Sequence, residues 1–148
     1  MMFVAVAAMM FAACEKDKTI EAEENTLVYN EKTYPMVSTY KSEQGGRVYV
    51  DAYAKETTSD GTPIFFIASD DPANGTYDLT KGEVFFGVNS NVDYIPSFYN
   101  VSTYSDGTLT VEKDDKAFRL KMSGTLGDGN KVAFHIYVPA SEWEQLEW

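Results

Sequence analysis

Alternation of apolar and polar residues with a period of two, along the C-terminal half of the chain, constrains the fold most strongly. Residues 107–112, 116–124 and 131–138 all show it. Their apolar positions are Leu109, Val111, Phe118, Leu120, Met122, Val132, Phe134, Ile136 and Val138. A period of two puts alternate side chains on opposite faces of a β-strand. Because Gly, Asp and Asn residues separate the segments, residues 107–138 predict a three-stranded antiparallel meander with these side chains in its core.

The N-terminal half of the chain carries similar but less regular segments. They span residues 27–30, 33–37, 47–54, 64–68, 75–79, 84–88 and 98–104. Two of them, 64–68 and 84–88, are continuous apolar runs, which indicates strands that are buried on both faces or protected at an edge. Turn residues separate these strands, and no window has a sustained helical period. The sequence therefore predicts one all-β domain, an antiparallel β-sandwich or barrel of about 8–10 strands.

The C-terminus departs from the alternating pattern. Residues 141–144 read Ser-Glu-Trp-Glu, which follows the capping-box pattern of a helix start. We therefore expect a short helical turn, after which Trp143 and Leu146 would cover one end of the sheet. A final edge strand is the competing interpretation.

The first 13 residues form an apolar segment without charge, MMFVAVAAMMFAA. A helix needs about 20 residues to cross a bilayer, so this segment is too short to span one and instead matches the apolar region of a secretory signal peptide. The last three residues of this segment and the cysteine that follows, Phe11-Ala12-Ala13-Cys14, resemble the bacterial lipobox. This resemblance implies that residues 1–13 are removed and that Cys14 is diacylated. The alternative is a buried first element in which Cys14 is a core residue.

Residues 15–24 contain five acidic residues and two lysines, which predicts a solvated tether. The segment resembles the acidic stretch after the lipidated cysteine of surface lipoproteins from Bacteroides-type bacteria (Bacteroidota). An ordinary linker is the alternative. We therefore divide the chain into a signal peptide at 1–13, a lipidated cysteine with a flexible tether at 14–25, and an all-β domain at 26–148.

The whole chain resembles the small surface lipoproteins of Bacteroides-type bacteria. Short turn motifs in the body add to this likeness: Asn30-Glu31-Lys32-Thr33-Tyr34, Asn74-Gly75-Thr76-Tyr77 and Gly107-Thr108-Leu109-Thr110-Val111. The resemblance implies a lipid-anchored protein of the bacterial outer membrane that faces the cell surface, with the periplasmic face as the alternative. It implies no catalytic residue.

Composition excludes several classes of function. A net charge of −11 argues against nucleic acid as a partner, because phosphate binding needs an excess of Lys and Arg. One Cys cannot form an internal disulfide, and a single His cannot supply a multi-histidine metal site. That histidine, His135, is predicted to face solvent from a strand. The chain has no Gly-x-Ser-x-Gly motif and no EF-hand spacing, and its Asp residues cluster in turns. We expect no enzyme activity, no cofactor and no metal.

Tyrosines are the remaining candidates for a binding role. Tyr49, Tyr53 and Tyr137 fall on strand faces opposite the predicted core, and Tyr94 and Tyr99 lie in a loop of low charge. Exposed aromatic side chains combine apolar area with a polar tip, so sugars and proteins dock on them. The alternative is that these tyrosines belong to the core of a second layer.

These observations predict a membrane-anchored, non-enzymatic binding or accessory domain for a glycan or protein ligand. One alternative is a lipocalin-like barrel that encloses a small apolar ligand among its Tyr and Phe side chains. A second is a hydrolase that uses two carboxylates in one cleft, as glycosidases do.

Overall fold

A computed structural model of the chain describes residues 19–44, 47–84, 86–92, 104–142 and 146–147. Within these ranges the chain forms ten strands and one 3-10 turn, which confirms the predicted all-β class. The strands are β1 (Thr26–Tyr29), β2 (Lys32–Gln44), β3 (Arg47–Ala54), β4 (Phe65–Asp70), β5 (Gly75–Asp78), β6 (Phe86–Ser90), β7 (Tyr104–Lys113), β8 (Ala117–Leu126), β9 (Lys131–Pro139) and β10 (Leu146–Glu147), with the 3-10 turn at Ala140–Glu142.

The strands lie in the order β5-β7-β8-β9-β1-β2-β3-β4-β6, and all neighbours on this path are antiparallel. The sheet curls into a half-barrel. Strand β10 lies off the path and pairs in parallel with β2. The predicted meander is confirmed as β7-β8-β9, with Leu109 opposite Met122 and Phe118 opposite Val138.

Strand β1 joins the two halves of the sheet. It has four residues, and Leu27 lies opposite Phe134 of β9 on one side and Tyr34 of β2 on the other. The turn from β1 into β2 contains Asn30 and Glu31, whose φ angles are 49° and 67°. Two central residues with positive φ are typical of the type I′ hairpin turn, which matches the twist of the flanking strands. We call β1 the seam of the sheet.

Apolar side chains fill the concave side of the sheet. Tyr40 stacks on Phe118 with ring centroids 4.6 Å apart, and Tyr34 meets the edge of Phe65 at 5.4 Å. The fully buried side chains include those that the alternation predicted: Leu109, Phe118, Leu120, Phe134 and Ile136. Aromatic rings bury the largest apolar areas of any side chains, so these contacts dominate the core.

The continuous apolar run at residues 64–68 differs from its prediction. In β4, Phe65 and Ile67 are buried, whereas Phe66 and Ala68 are only half-buried on the opposite face. Burial on both faces is therefore wrong for β4, because alternate side chains of this strand stay half-buried. In β6, by contrast, Phe86, Gly87 and Val88 are all buried, as expected for a strand buried on both faces, and this strand is the last in the described order.

Both interpretations of the C-terminus are found in the structure. The 3-10 turn begins at Ala140, one residue before the predicted cap, and β10 follows it as a two-residue strand. Trp143 and residues 98–103 of the predicted strand lie outside the described residues.

Candidate ligand-binding face

The outer surface of β2, β3 and β4 carries an exposed apolar row. Val37 of β2 lies opposite Tyr53 of β3, and Tyr53 lies opposite Phe66 of β4. Within the described residues, Val37 and Tyr53 are the exposed large apolar side chains, at 50% and 36% exposure. The rings of Tyr53 and Phe66 are 4.9 Å apart and tilted by 37°. We call Val37, Tyr53 and Phe66 the aromatic strip.

A carboxylate lies beside the aromatic strip. Asp51 is two residues before Tyr53 on the same face of β3, opposite Thr39 of β2, and is only 8% exposed. Partial burial raises the pKa of Tyr53, and the negative charge of Asp51 raises it further. The Tyr53 hydroxyl therefore stays protonated at physiological pH, so it can both donate and accept a hydrogen bond.

The aromatic strip continues to the edge of the half-barrel. Phe66 lies opposite Asn89 of β6, the last strand in the described order, and Asn89 is exposed. The row thus places an aliphatic side chain, two rings and an amide side by side across four strands. This combination offers flat apolar area with polar groups at one end and along one flank.

The structure places the five predicted tyrosines in different surroundings. Tyr53 lies in the aromatic strip. Tyr49 is on the same strand, with its backbone opposite Ser42 and Asp70. Tyr94 and Tyr99 lie outside the described residues.

Tyr137 is on the other side of the seam and does not join the aromatic strip. The ring of this half-buried side chain lies under the guanidinium of Arg119, 5.1 Å from its centroid. Strands β1 and β2 separate β9 from β3 in the sheet, so Tyr137 and Tyr53 sit on different parts of the outer surface. The predicted tyrosines are therefore not one cluster.

Sequence reasoning missed Val37 and Phe66. Phe66 is the middle residue of an apolar run on a strand that buries only one face. Every second side chain of such a run has to point outward, because successive residues of a strand alternate. The signal was present in the sequence, but a strand buried on both faces explained it equally well.

A segment before β1 covers the outer face of the other half of the sheet. Residues 19–25, which the sequence analysis assigned to the tether, cross β8 and β9 there. The Ser123 hydroxyl donates to the Ile20 carbonyl at 2.6 Å, and the Tyr137 amide donates to Asn25 Oδ1 at 2.9 Å. We call residues 19–25 the strap.

His135 lies beneath the strap and not in solvent as predicted. It is on the outer face of β9, as its position in the alternation requires, but only 5% of it is exposed. Burial lowers the pKa of His135, and the cationic Lys121 and Arg119 lower it further. The prediction of solvent exposure was wrong because alternation assigns a face and cannot show what segment lies over it.

The acidic residues in turns have structural partners. Asp60 accepts hydrogen bonds from Thr58 and from the amide of Thr62, which lowers the pKa of Asp60 to about 2. Asp114 accepts bonds from the amides of Lys116 and Ala117, which also lowers its pKa. The predicted role in turns is confirmed for Asp60 and Asp114, whereas Asp70 and Asp106, also expected in turns, lie in β4 and β7. Within the described residues, no group of three or more His, Cys, Asp or Glu side chains is arranged to hold a metal ion.

No protein-family model matches this chain, and neither a curated protein nor a solved structure matches it significantly. In the part of the chain that the structure describes, no helix is long and apolar enough to cross a membrane.

Proposed function

We propose that this chain is a lipid-anchored, non-enzymatic binding module of the bacterial outer membrane, facing the cell surface, whose ligand is a glycan. The observation that carries the proposal is the aromatic strip, in which the exposed Tyr53 ring lies against the half-buried Phe66 ring beside polar neighbours. The anchor is Cys14, which lies outside the described residues and rests on the lipobox resemblance.

The shape of the aromatic strip supports a glycan ligand. Tyr53 is exposed, and its ring lies 4.9 Å from the ring of the half-buried Phe66. The apolar C–H face of a sugar ring stacks on aromatic rings of this kind. Asn89, at the end of the row, and the Tyr53 hydroxyl supply donors and acceptors for sugar hydroxyl groups. Both kinds of group are needed, because pockets for small polar ligands combine apolar area with a few polar contacts.

The size of the aromatic strip favours a glycan over a protein. Neighbouring strands are about 4.8 Å apart, so the row from Val37 to Phe66 spans roughly 10 Å. A stable protein interface buries about 800 Å² on each partner, which is far more than three side chains supply. A short run of sugar rings fits this area.

The packing of the concave side supports a ligand on the outer surface. A lipocalin-like ligand would need room among the inward-facing rings. Phe86 contacts Phe134 at 5.6 Å, and Tyr40 stacks on Phe118 at 4.6 Å. Inward-facing rings of the described residues thus contact each other, whereas Tyr53 and Phe66 have free area outside.

Glycan-array screening of the full chain in detergent micelles, followed by calorimetric titration of any hit, tests the proposal. Tyr53→Ala removes one stacking ring and should weaken binding about tenfold, which corresponds to a loss of about 1.4 kcal/mol of binding free energy. Tyr137→Ala is the matched control, because this ring faces outward on the other half of the sheet and should leave the affinity unchanged. A full array without binding, or equal affinities of wild type and Tyr53→Ala, would refute a glycan ligand at the aromatic strip.

A further inference from the structure

The strap is held to the sheet by a small number of polar contacts. Its carbonyl groups accept bonds from Ser123 of β8 and from His135 of β9, and Asn25 at its end accepts the Tyr137 amide and the Ser38 hydroxyl. The ion pair between Arg119 and Glu24 is long, at 3.9 Å, and half-exposed, so it contributes little. Side chains and carbonyl groups therefore attach the strap, which is not one of the strands of the sheet.

Only one of the two ring nitrogens of His135 has a hydrogen-bond partner among the described residues. It donates a hydrogen bond to the Ala22 carbonyl, while Nε2 is buried and has no partner among the described residues. This arrangement places the single proton of the neutral ring on Nδ1. A second proton would go to Nε2, where no described acceptor is within reach.

Charges around His135 oppose a second proton. The groups that face the imidazole come from three elements and from the strap: Lys121 and Arg119 of β8, Thr108 and Thr110 of β7, Thr26 of β1, and Glu21 and Glu24 of the strap. Two cations are thus set against two acidic residues, and the acidic residues both belong to the strap. A groove of about 200 Å³ runs along the same side of the strap and is lined by Lys121, Ser123 and His135.

We propose that the strap is a proton-operated latch, docked on the sheet when His135 is neutral and released when His135 takes up a second proton. Release transfers a buried imidazolium with no partner at Nε2 into water, which solvates it. Lys121 and Arg119 remain beside the imidazolium on β8 after release, but water then screens their charges. Release of the strap depends on the protonation of His135 and requires neither the lipid anchor nor a ligand.

Release of the latch has two structural consequences. It frees seven residues, 19–25, whose fully extended length is at most about 25 Å. It also uncovers the outer face of β8 and β9, including Ser123 and His135. The domain would then reach further from any anchor at Cys14.

The direction of the pH dependence follows from the depressed pKa. His135 in the released state titrates near the ordinary value of about 6.5, and in the docked state at lower pH. Docking is therefore strongest above the ordinary pKa of histidine and weakens as the pH falls from that value towards the lower pKa of the docked state. One proton changes the docking equilibrium by at most about tenfold per pH unit.

Cleavage by a Glu-specific protease measures release, because Glu21, Glu23 and Glu24 all lie in the strap. The cleavage rate of the full chain is divided by that of a free peptide of residues 17–27, which removes the pH dependence of the protease. As the pH is lowered from about 7.5 to about 5, this ratio of cleavage rates should rise by up to about tenfold per pH unit. A constant ratio would refute the latch.

Two variants identify the titrating group. His135→Asn keeps a donor at the position of Nδ1 and cannot titrate, so its ratio should not change with pH. Lys121→Met removes an exposed cation that depresses the pKa of His135, so its ratio should rise less than that of wild type. A rise in His135→Asn equal to that in wild type would assign the effect to the strap carboxylates and overturn the proposal. Loss of the strand circular dichroism signal over the same range would also overturn it, since cleavage would then report unfolding.

Discussion

Gly107 is the position where the structure makes the sharpest stability prediction. It lies directly opposite Gly124 in the β7–β8 pair, with a φ of +138°. The amide of Leu79 donates to its carbonyl at 3.0 Å, and the Leu79 side chain rests on the two glycines. A Cβ at Gly107 would lie 2.6 Å from Gly124 Cα, 2.6 Å from the Ser123 carbonyl oxygen and 2.7 Å from Leu79 Cδ1.

Two separate costs make Gly107→Ala destabilising. A residue with a side chain at this φ is strained by about 1–3 kcal/mol. Overpacking adds about 1–3 kcal/mol, and two of the three close atoms are backbone atoms of a paired strand that cannot turn away. We therefore expect the free energy of unfolding to fall by about 2–6 kcal/mol.

Gly61→Ala is the matched control for the conformational cost. Gly61 also has positive φ, +84°, but a Cβ there would meet nothing within 4 Å. It should cost about 1–2 kcal/mol. Urea unfolding followed by circular dichroism compares the two, since a difference of about 2 kcal/mol shifts the midpoint by roughly 1 M. If Gly107→Ala and Gly61→Ala lose equal stability, the close approach of β7, β8 and Leu79 is refuted.

Two further predictions concern Cys14 and Tyr40. Cys14→Ala should move the protein from the membrane fraction to the soluble fraction, because two acyl chains give durable attachment; unchanged partitioning would refute lipidation. Burial raises the pKa of Tyr40 to about 12, and Asp71 contributes. Because the unfolded chain loses this proton first, near pH 10, stability should fall between pH 10 and 12. Tyr40→Phe should lose about 1 kcal/mol less than wild type by about pH 11; parallel stability curves in urea titrations would contradict this.

The strand faces could be predicted from the sequence because one principle decides them. In β8 and β9, large apolar side chains occupy every second position, so only one register buries Phe118, Leu120 and Phe134 together. Turn residues such as Asn30 then fix where the chain reverses. Local information was sufficient for these elements.

The curvature and strand order of the sheet could not be predicted in this way. They depend on β1, whose four residues pair with β2 next to it in sequence and with β9 about a hundred residues away. The sequence of residues 26–29 has no feature that identifies β9 as the strand with which they pair. Without the pairing of Leu27 with Phe134, a sandwich and a barrel are equally compatible with the sequence.

The candidate site likewise contains residues that the sequence predicts and residues that only the pairing of strands brings together. Tyr53 was predicted because its own strand alternates clearly. Its neighbours Val37 and Phe66 join it only through cross-strand register, which sequence reasoning did not have. His135 was placed on the correct face and in the wrong environment, because its burial comes from residues 19–25, which have the composition of a solvated tether.

The position of β1 in the sheet explains why the two halves of the outer surface differ. Because β1 is the seam and not an edge strand, the chain that precedes it begins in the middle of the outer surface. Asn25 is bonded there to both halves: its carbonyl accepts the Met36 amide of β2, and its side chain accepts the Tyr137 amide of β9. From that point residues 19–24 turn over β8 and β9, whereas Val37 and Tyr53, on the outer side of β2 and β3, are exposed. Among the described residues, the strap thus covers one half of the outer surface and does not cover the aromatic strip on the other half.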